Sequence, residues 1–229
     1  MPTLREVRMR IQGVSNIAQV TRALEAVSAS KVRKAQQAVM ATRPYATHAW
    51  NVLQHLSTQP ARDTIHPLLT QREKVENILV LLVTGDRGLA GAYNTNVVRF
   101  ALQHFRNAAA PVHYVVIGRK GRDMMARRRQ TITADFSNLP AAPSFADVSA
   151  IGRIAVEEYL EGKADKVYLV YTDFINLVRQ VPVVKQLLPL EVEHEEERVI
   201  EFAPRAAAAP PAYIYEPSEE QLIDLIVPR

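Results

Sequence analysis

The 229-residue chain contains no cysteine. That excludes disulfides and cysteine-based metal sites, and agrees with a reducing compartment. Long hydrophobic runs are also missing: the longest aliphatic stretch, Ile78–Val83, falls far short of the ~20 residues that cross a bilayer. The charged opening MPTLREVRMR offers no apolar signal-peptide core. An Arg-rich amphipathic N-terminus can imitate a mitochondrial presequence, but here the apolar pattern starts at Leu4 and continues unbroken, as in a mature cytosolic chain. No serine–histidine–acid triple and no carboxylate pair stands out, so nothing looks catalytic.

What the sequence does have is a long basic helix with no core of its own. Apolar side chains fall at Leu4, Val7, Ile11, Val14, Ile17, Val20, Leu24 and Val27, a narrow seam down one helical face. A seam this thin suits a coiled coil, and the extra three-residue step within it is a stammer that overwinds the coil locally. Residues 1–58 carry eight Lys or Arg against two Glu, whereas the remainder holds twenty basic and twenty-two acidic side chains. The positive charge therefore lies on the helix and points to an acidic partner. Pro44 removes a hydrogen bond to residue 40 and predicts a kink there.

The pattern changes after a proline-containing connector, residues 59–74. Strands are expected at 77–84, 112–118, 132–136 and 166–174, with a further extended segment at 181–192. Helices are expected at 95–107, 119–129 and 145–161. Strands alternating with helices, each strand apolar on both faces, predict an α/β domain over 75–202 whose mainly parallel sheet is covered by helices. Residues 191–201 then carry six glutamates, 203–212 form an Ala/Pro linker, and 213–229 open a second apolar helix capped by Ser218 and Gln221.

The turn after the first strand, Gly85-Asp86-Arg87-Gly88-Leu89-Ala90-Gly91, lies where such folds bind phosphate. Its G-x-x-G-x-x-G spacing is neither the dinucleotide fingerprint nor a P-loop, and no Gly-Lys-Ser/Thr follows. A structural turn is the expected role of Gly85, Asp86, Arg87, Gly88 and Gly91. His48, His55, His66, His104, His113 and His194 form no close ligand pair, so no metal and no cofactor are expected. Arg119, Lys120, Arg122 and Arg127–Arg129 make a basic cluster without interleaved aromatics, which reads as a solvated helix face and not as a nucleic-acid site.

Three stretches together resemble one family. VSNIAQVTRALEAVSASKVRKAQQAVMATRPYA, the turn TGDRGLAGAYN and the late YIYEP are similar to the gamma subunit of the rotary proton-translocating ATP synthase, as is INLVRQVPVVKQLLPLE. The resemblance implies an antiparallel coiled-coil shaft and a Rossmann-like α/β foot. It implies a non-catalytic rotor, the central stalk of CF(1)-type machinery, serving ATP synthesis and hydrogen ion transport. The shaft would turn inside a ring of alpha and beta subunits, and the foot would bind the epsilon subunit and the membrane rotor c-ring. Such a protein is peripheral on the cytoplasmic side of the cell membrane.

By position, the resemblance implies that Arg22, Leu24, Val27 and Lys31 contact the acidic lever loops of beta. It implies that Tyr213, Tyr215 and Glu216 lie near the rotor ring. Family members continue past YEP into a long C-terminal helix, of which residues 213–229 supply about two turns. Two rivals remain: a nucleotide-binding α/β enzyme using the glycine turn, and a coiled-coil adaptor with no rotary role.

Overall fold

The computed structural model describes residues 3–58, 67–140 and 142–190. The chain divides into two compact units, Met1–Trp50 and Asn51–Arg229, which are taken separately.

The first unit is helical. Helix α1 (Leu4–Thr58) begins in it. The Thr3 amide donates to Glu6 Oε2 at 2.9 Å and the Glu6 amide to Thr3 Oγ1 at 3.3 Å, so two otherwise unmet donors of the first turn are satisfied. The helix assignment runs through Pro44. Proline has no N–H, so the Met40 carbonyl loses its intrahelical donor without ending the helix. Nothing within the unit covers the apolar seam: its eight residues are exposed, from 41% at Val7 to 71% at Leu4. Helix propensity alone holds such a segment weakly. In the isolated chain, amides of residues 5–40 are therefore expected to exchange within seconds in a hydrogen-exchange experiment. Strong protection there in a proven monomer would contradict this account.

The second unit is built on a five-stranded sheet, ordered β3-β2-β1-β4-β5. Strand β1 (Ile78–Val83) pairs in parallel with β2 (Val112–Ile117) and β4 (Lys166–Phe174), and β2 pairs in parallel with β3 (Thr131–Phe136). Strand β5 (Gln180–Leu188) pairs antiparallel with β4 through a tight connection, in which Asn176 Oδ1 accepts the Val178 and Arg179 amides at 2.9 and 2.8 Å. Pro182 is tolerated because β5 is an edge strand.

Two sequence expectations need correction. The last strand ends at Leu188, short of Val192. The strands are not all apolar on both faces either: β3, the opposite edge, alternates exposed and half-buried residues, so one of its two faces is left open to solvent.

Helices α2 (Tyr93–His104) and α3 (Arg119–Arg127) pack on the face that carries Ile78, Val80 and Leu82 of β1. Val97, Val98 and Ala101 of α2 and Met125 of α3 close a core with Tyr114, Val116 and Val170. Burial pushes the Tyr114 phenol up to about 12, so it stays neutral in this core. Each fully buried aliphatic side chain here stabilises the domain by about 1.5–3 kcal/mol. Alternation sends Leu79 and Leu81 to the other face, and both are buried. Helix α4 (Phe145–Leu160) buries Ile151, Ala155 and Tyr159. Its first turn is held by Asp147, whose carboxylate accepts the Ser144 hydroxyl at 2.6 Å and the Ser144 amide at 2.7 Å. Those two bonds, the hydroxyl first, hold the Asp147 carboxyl below its ordinary value.

Candidate functional site

The glycine turn leaves β1 at the carboxyl end of the sheet, the position where related architectures receive phosphate. Here three backbone donors around the turn, those of Gly85, Arg119 and Lys120, are engaged within the chain. The Gly85 amide donates to Asn94 Oδ1 at 2.8 Å, and Asn94 Nδ2 reaches back to the Arg87 carbonyl at 3.4 Å. Asn94 sits in the first turn of α2 and is buried, so it ties the helix to the turn across nine residues. At the neighbouring helix, Asp86 Oδ1 accepts the Arg119 amide at 2.9 Å, and the Lys120 amide donates to the Gly85 carbonyl at 3.0 Å. A carboxylate of the protein itself thus occupies the positive end of α3. Amide donation from Asn138 and then Arg119 holds the Asp86 carboxyl below its ordinary range. Leu89 (φ 58°) and Gly91 (φ 56°) adopt left-handed backbone, and Leu89 is fully exposed.

Beneath the turn lies a weld. Thr84 Oγ1 is 2.9 Å from the Ile117 carbonyl and 3.2 Å from that of Gly118, and it accepts the Gly121 amide at 3.0 Å. A Cβ on Gly118 would sit 2.4 Å from the Thr84 carbonyl oxygen, and one on Gly121 would sit 2.5 Å from Thr84 Oγ1. Only glycine allows α3 to approach β1 this closely. The turn residues were legible in the sequence, but Thr84, Asn94, Gly118 and Gly121 were not picked out. The one available signal was the pair of glycines three apart where the second strand meets a helix.

A second network closes the opposite end of the sheet. Asp165 Oδ1 pairs with Arg72 Nη1 at 3.0 Å, while Oδ2 accepts the Glu76 and Asn77 amides at 2.6 and 2.9 Å. Arg72 Nη2 donates to the Tyr159 carbonyl at 2.6 Å, and the Tyr159 hydroxyl donates to the Thr70 carbonyl at 2.6 Å. Burial alone would raise the Asp165 carboxyl. The Asn77 and Glu76 amides and the Arg72 guanidinium outweigh it and hold the group below its ordinary value.

The shaft residues Arg22, Leu24, Val27 and Lys31 are all exposed on α1, Leu24 by 58% and Val27 by 53%. Thr21 beside them spends its hydroxyl on the Ile17 carbonyl at 2.8 Å, within the helix. Tyr213, Tyr215 and Glu216, the Ala/Pro linker and the final helix lie outside the described residues. Among the described residues no group of His, Asp or Glu could hold a metal ion, and no helix is long and apolar enough to cross a membrane.

An uncovered apolar seam on a basic helix, followed in sequence by an α/β domain whose glycine turn is tied by its own side chains, is the arrangement of a stalk-type subunit. Its chemistry is contact. The chain belongs to the ATP synthase gamma chain family: a family model described as ATP synthase matches residues 3–229. ATP synthase gamma chains of Roseiflexus castenholzii and Pelotomaculum thermopropionicum are 39% and 37% identical to it, each over all of this chain and 77% of the relative. Among solved structures, the central stalk and c-ring of Tetrahymena thermophila mitochondrial ATP synthase contains a chain of like fold. Its TM-score is 0.58 at 22% identity, over 74% of this chain and 72% of that one. A chain of the Euglena gracilis mitochondrial ATP synthase rotor gives 0.51 at 23% identity, covering 79% and 61%.

Proposed function

We infer that the chain is the central-stalk rotor of a proton-translocating ATP synthase, carrying rotation between a membrane ring and the catalytic head. It performs no chemistry on ATP. The observation that carries this reading is the uncovered seam of α1 combined with the positive excess of residues 1–58, in a chain of this family. Arg22 and Lys31 offer charge to the acidic lever loops of beta, and Leu24 and Val27 offer apolar contact beside them. The α/β domain is the foot, with epsilon as its soluble partner, and Tyr213, Tyr215 and Glu216 meet the rotor ring. The glycine turn holds the foot together and takes no nucleotide. The working location is peripheral, on the cytoplasmic side of the cell membrane.

Charges of this kind govern encounter and register more than final affinity. Reversing both, Arg22→Glu with Lys31→Glu, leaves the fold intact because both side chains are exposed. Association with alpha and beta subunits, followed by native gel or light scattering, should slow by about ten-fold at low ionic strength and by much less near 0.5 M salt. Unchanged association at low salt would overturn the assignment of these residues.

A further inference from the structure

The basic cluster read along the sequence divides in the fold. Arg119, Lys120 and Arg122 open α3 at the carboxyl end of the sheet, where Arg122 pairs with Asp123 at 3.0 Å and Asp135 at 3.5 Å. Arg127, Arg128 and Arg129 close the same helix at the amino end, just before β3 begins. Helix α2 packs beside α3 and finishes at that end too, followed by Arg106. All four side chains are exposed, and neither 104–113 nor 124–134 contains an acidic residue. Arg128 donates to the Met124 carbonyl at 3.2 Å, whereas Arg106, Arg127 and Arg129 have no ion pair among the described residues.

The carboxylates at this end do not answer that charge. Asp165 is held by Arg72 and Glu76 by Lys74, at 3.0 and 2.7 Å. Glu158 and Glu161 share Lys163, at 3.9 and 2.6 Å, where α4 ends. Between β3 and β4 the chain crosses back over the sheet, so a right-handed connection puts α4 on the face opposite α2 and α3. Glu73 is exposed and has no ion pair among the described residues. It follows Arg72, which donates to the Tyr159 carbonyl of α4. Counted in full, one glutamate against four arginines leaves +3. Packed helices lie about 10 Å apart, so cations at their ends repel one another within a Debye length at ordinary salt.

What the corner lacks points to its partner. The large apolar side chains exposed on the domain are Leu89, Phe145, Leu160, Leu177 and Val178, and none falls in 104–113 or 124–134. A protein interface is anchored at its centre by aromatic or apolar side chains. Single-stranded nucleic acid is held by exposed aromatics on which bases stack, and here Phe105 and Tyr114 are buried. An anionic lipid surface needs neither, and each arginine near it strengthens binding by about five-fold. We propose that Arg106, Arg127, Arg128 and Arg129 form a docking surface for the anionic headgroups of a membrane. The proposal rests on the rotor reading for its place beside a bilayer, because that reading stands this domain on a membrane ring.

The test uses the full chain and co-sedimentation with phosphatidylcholine vesicles that contain either no phosphatidylglycerol or about 30% of it. Helix α1 is basic as well, so total binding does not isolate the corner, and two variants of equal charge are compared. Arg127→Gln with Arg129→Gln neutralises half the corner. Arg153→Gln with Arg179→Gln neutralises two arginines outside it. All four side chains are exposed, so both variants keep the fold, which circular dichroism checks. Docking through the corner predicts partition onto the anionic vesicles about twenty-five-fold weaker in the first variant and about three-fold weaker at most in the second. That difference should vanish near 0.5 M salt. Equal losses in the two variants, or binding that is absent or indifferent to phosphatidylglycerol, would overturn the proposal. So would a chain that ignores the vesicles yet binds duplex RNA through these arginines. None of these outcomes touches the rotor reading, which is decided by association with alpha and beta subunits.

Discussion

Replacing Asp165 by asparagine is expected to destabilise the α/β domain by about 2–3 kcal/mol, the loss usual when a buried acceptor of charge-assisted hydrogen bonds is replaced and its partner cation stays partly solvated. The carboxylate meets three donors with two oxygens: the Arg72 guanidinium and the Glu76 and Asn77 amides. An asparagine side chain must turn an NH2 group toward at least one of them, leaving a buried donor facing a donor. The midpoint of thermal unfolding, followed by circular dichroism, should fall by about 10 °C for a domain of this size.

The pH dependence provides a sharper readout. The folded-state value of Asp165 lies below the unfolded one, so its contribution is complete above about pH 4 and is lost as pH falls through the folded value. The asparagine variant should lack that part of the acid-induced loss. If wild type and variant lose stability in parallel between about pH 5 and 2, the network does not hold the segment before β1 as described.

The second large effect concerns backbone crowding. Gly118→Ala combines a left-handed φ of 100° with a Cβ 2.4 Å from the Thr84 carbonyl oxygen, where no side chain can rotate away. Strained φ costs about 1–3 kcal/mol and overpacking a similar amount, so about 4 kcal/mol is expected in denaturant unfolding. Gly91→Ala is the matched control. It shares a positive φ, 56°, but its added Cβ meets nothing within 4 Å. Its cost should be about 1–2 kcal/mol, that of left-handed backbone alone. Similar losses at the two positions would mean that the close approach of α3 to β1 is not what fixes Gly118.

How much of this was legible beforehand depended on whether a feature was local. The apolar run Ile78–Val83 and the amphipathic spacing of Ile151, Ala155 and Tyr159 announced their elements because each repeats within a few residues. Strand β5 was visible as extended, but its antiparallel direction depends on a pairing with β4 that no composition reveals. Similarly, Asp165 is an ordinary acid in KADKV until the fold brings Arg72, 93 positions earlier, to within 3.0 Å. Asn94 and Thr84 were hidden for the same reason: their roles are bonds across the turn and to the next strand, not patterns along the chain. The turn's departure from the fingerprint and the P-loop spacing could be read directly, because glycine spacing is local.

The glycine turn couples two helices through bonds made entirely within the chain. Asn94 holds the Gly85 amide and Asp86 holds the Arg119 amide, so the starts of α2 and α3 are stitched to one loop. Loosening either stitch weakens the hold on one helix start while the other stays tied.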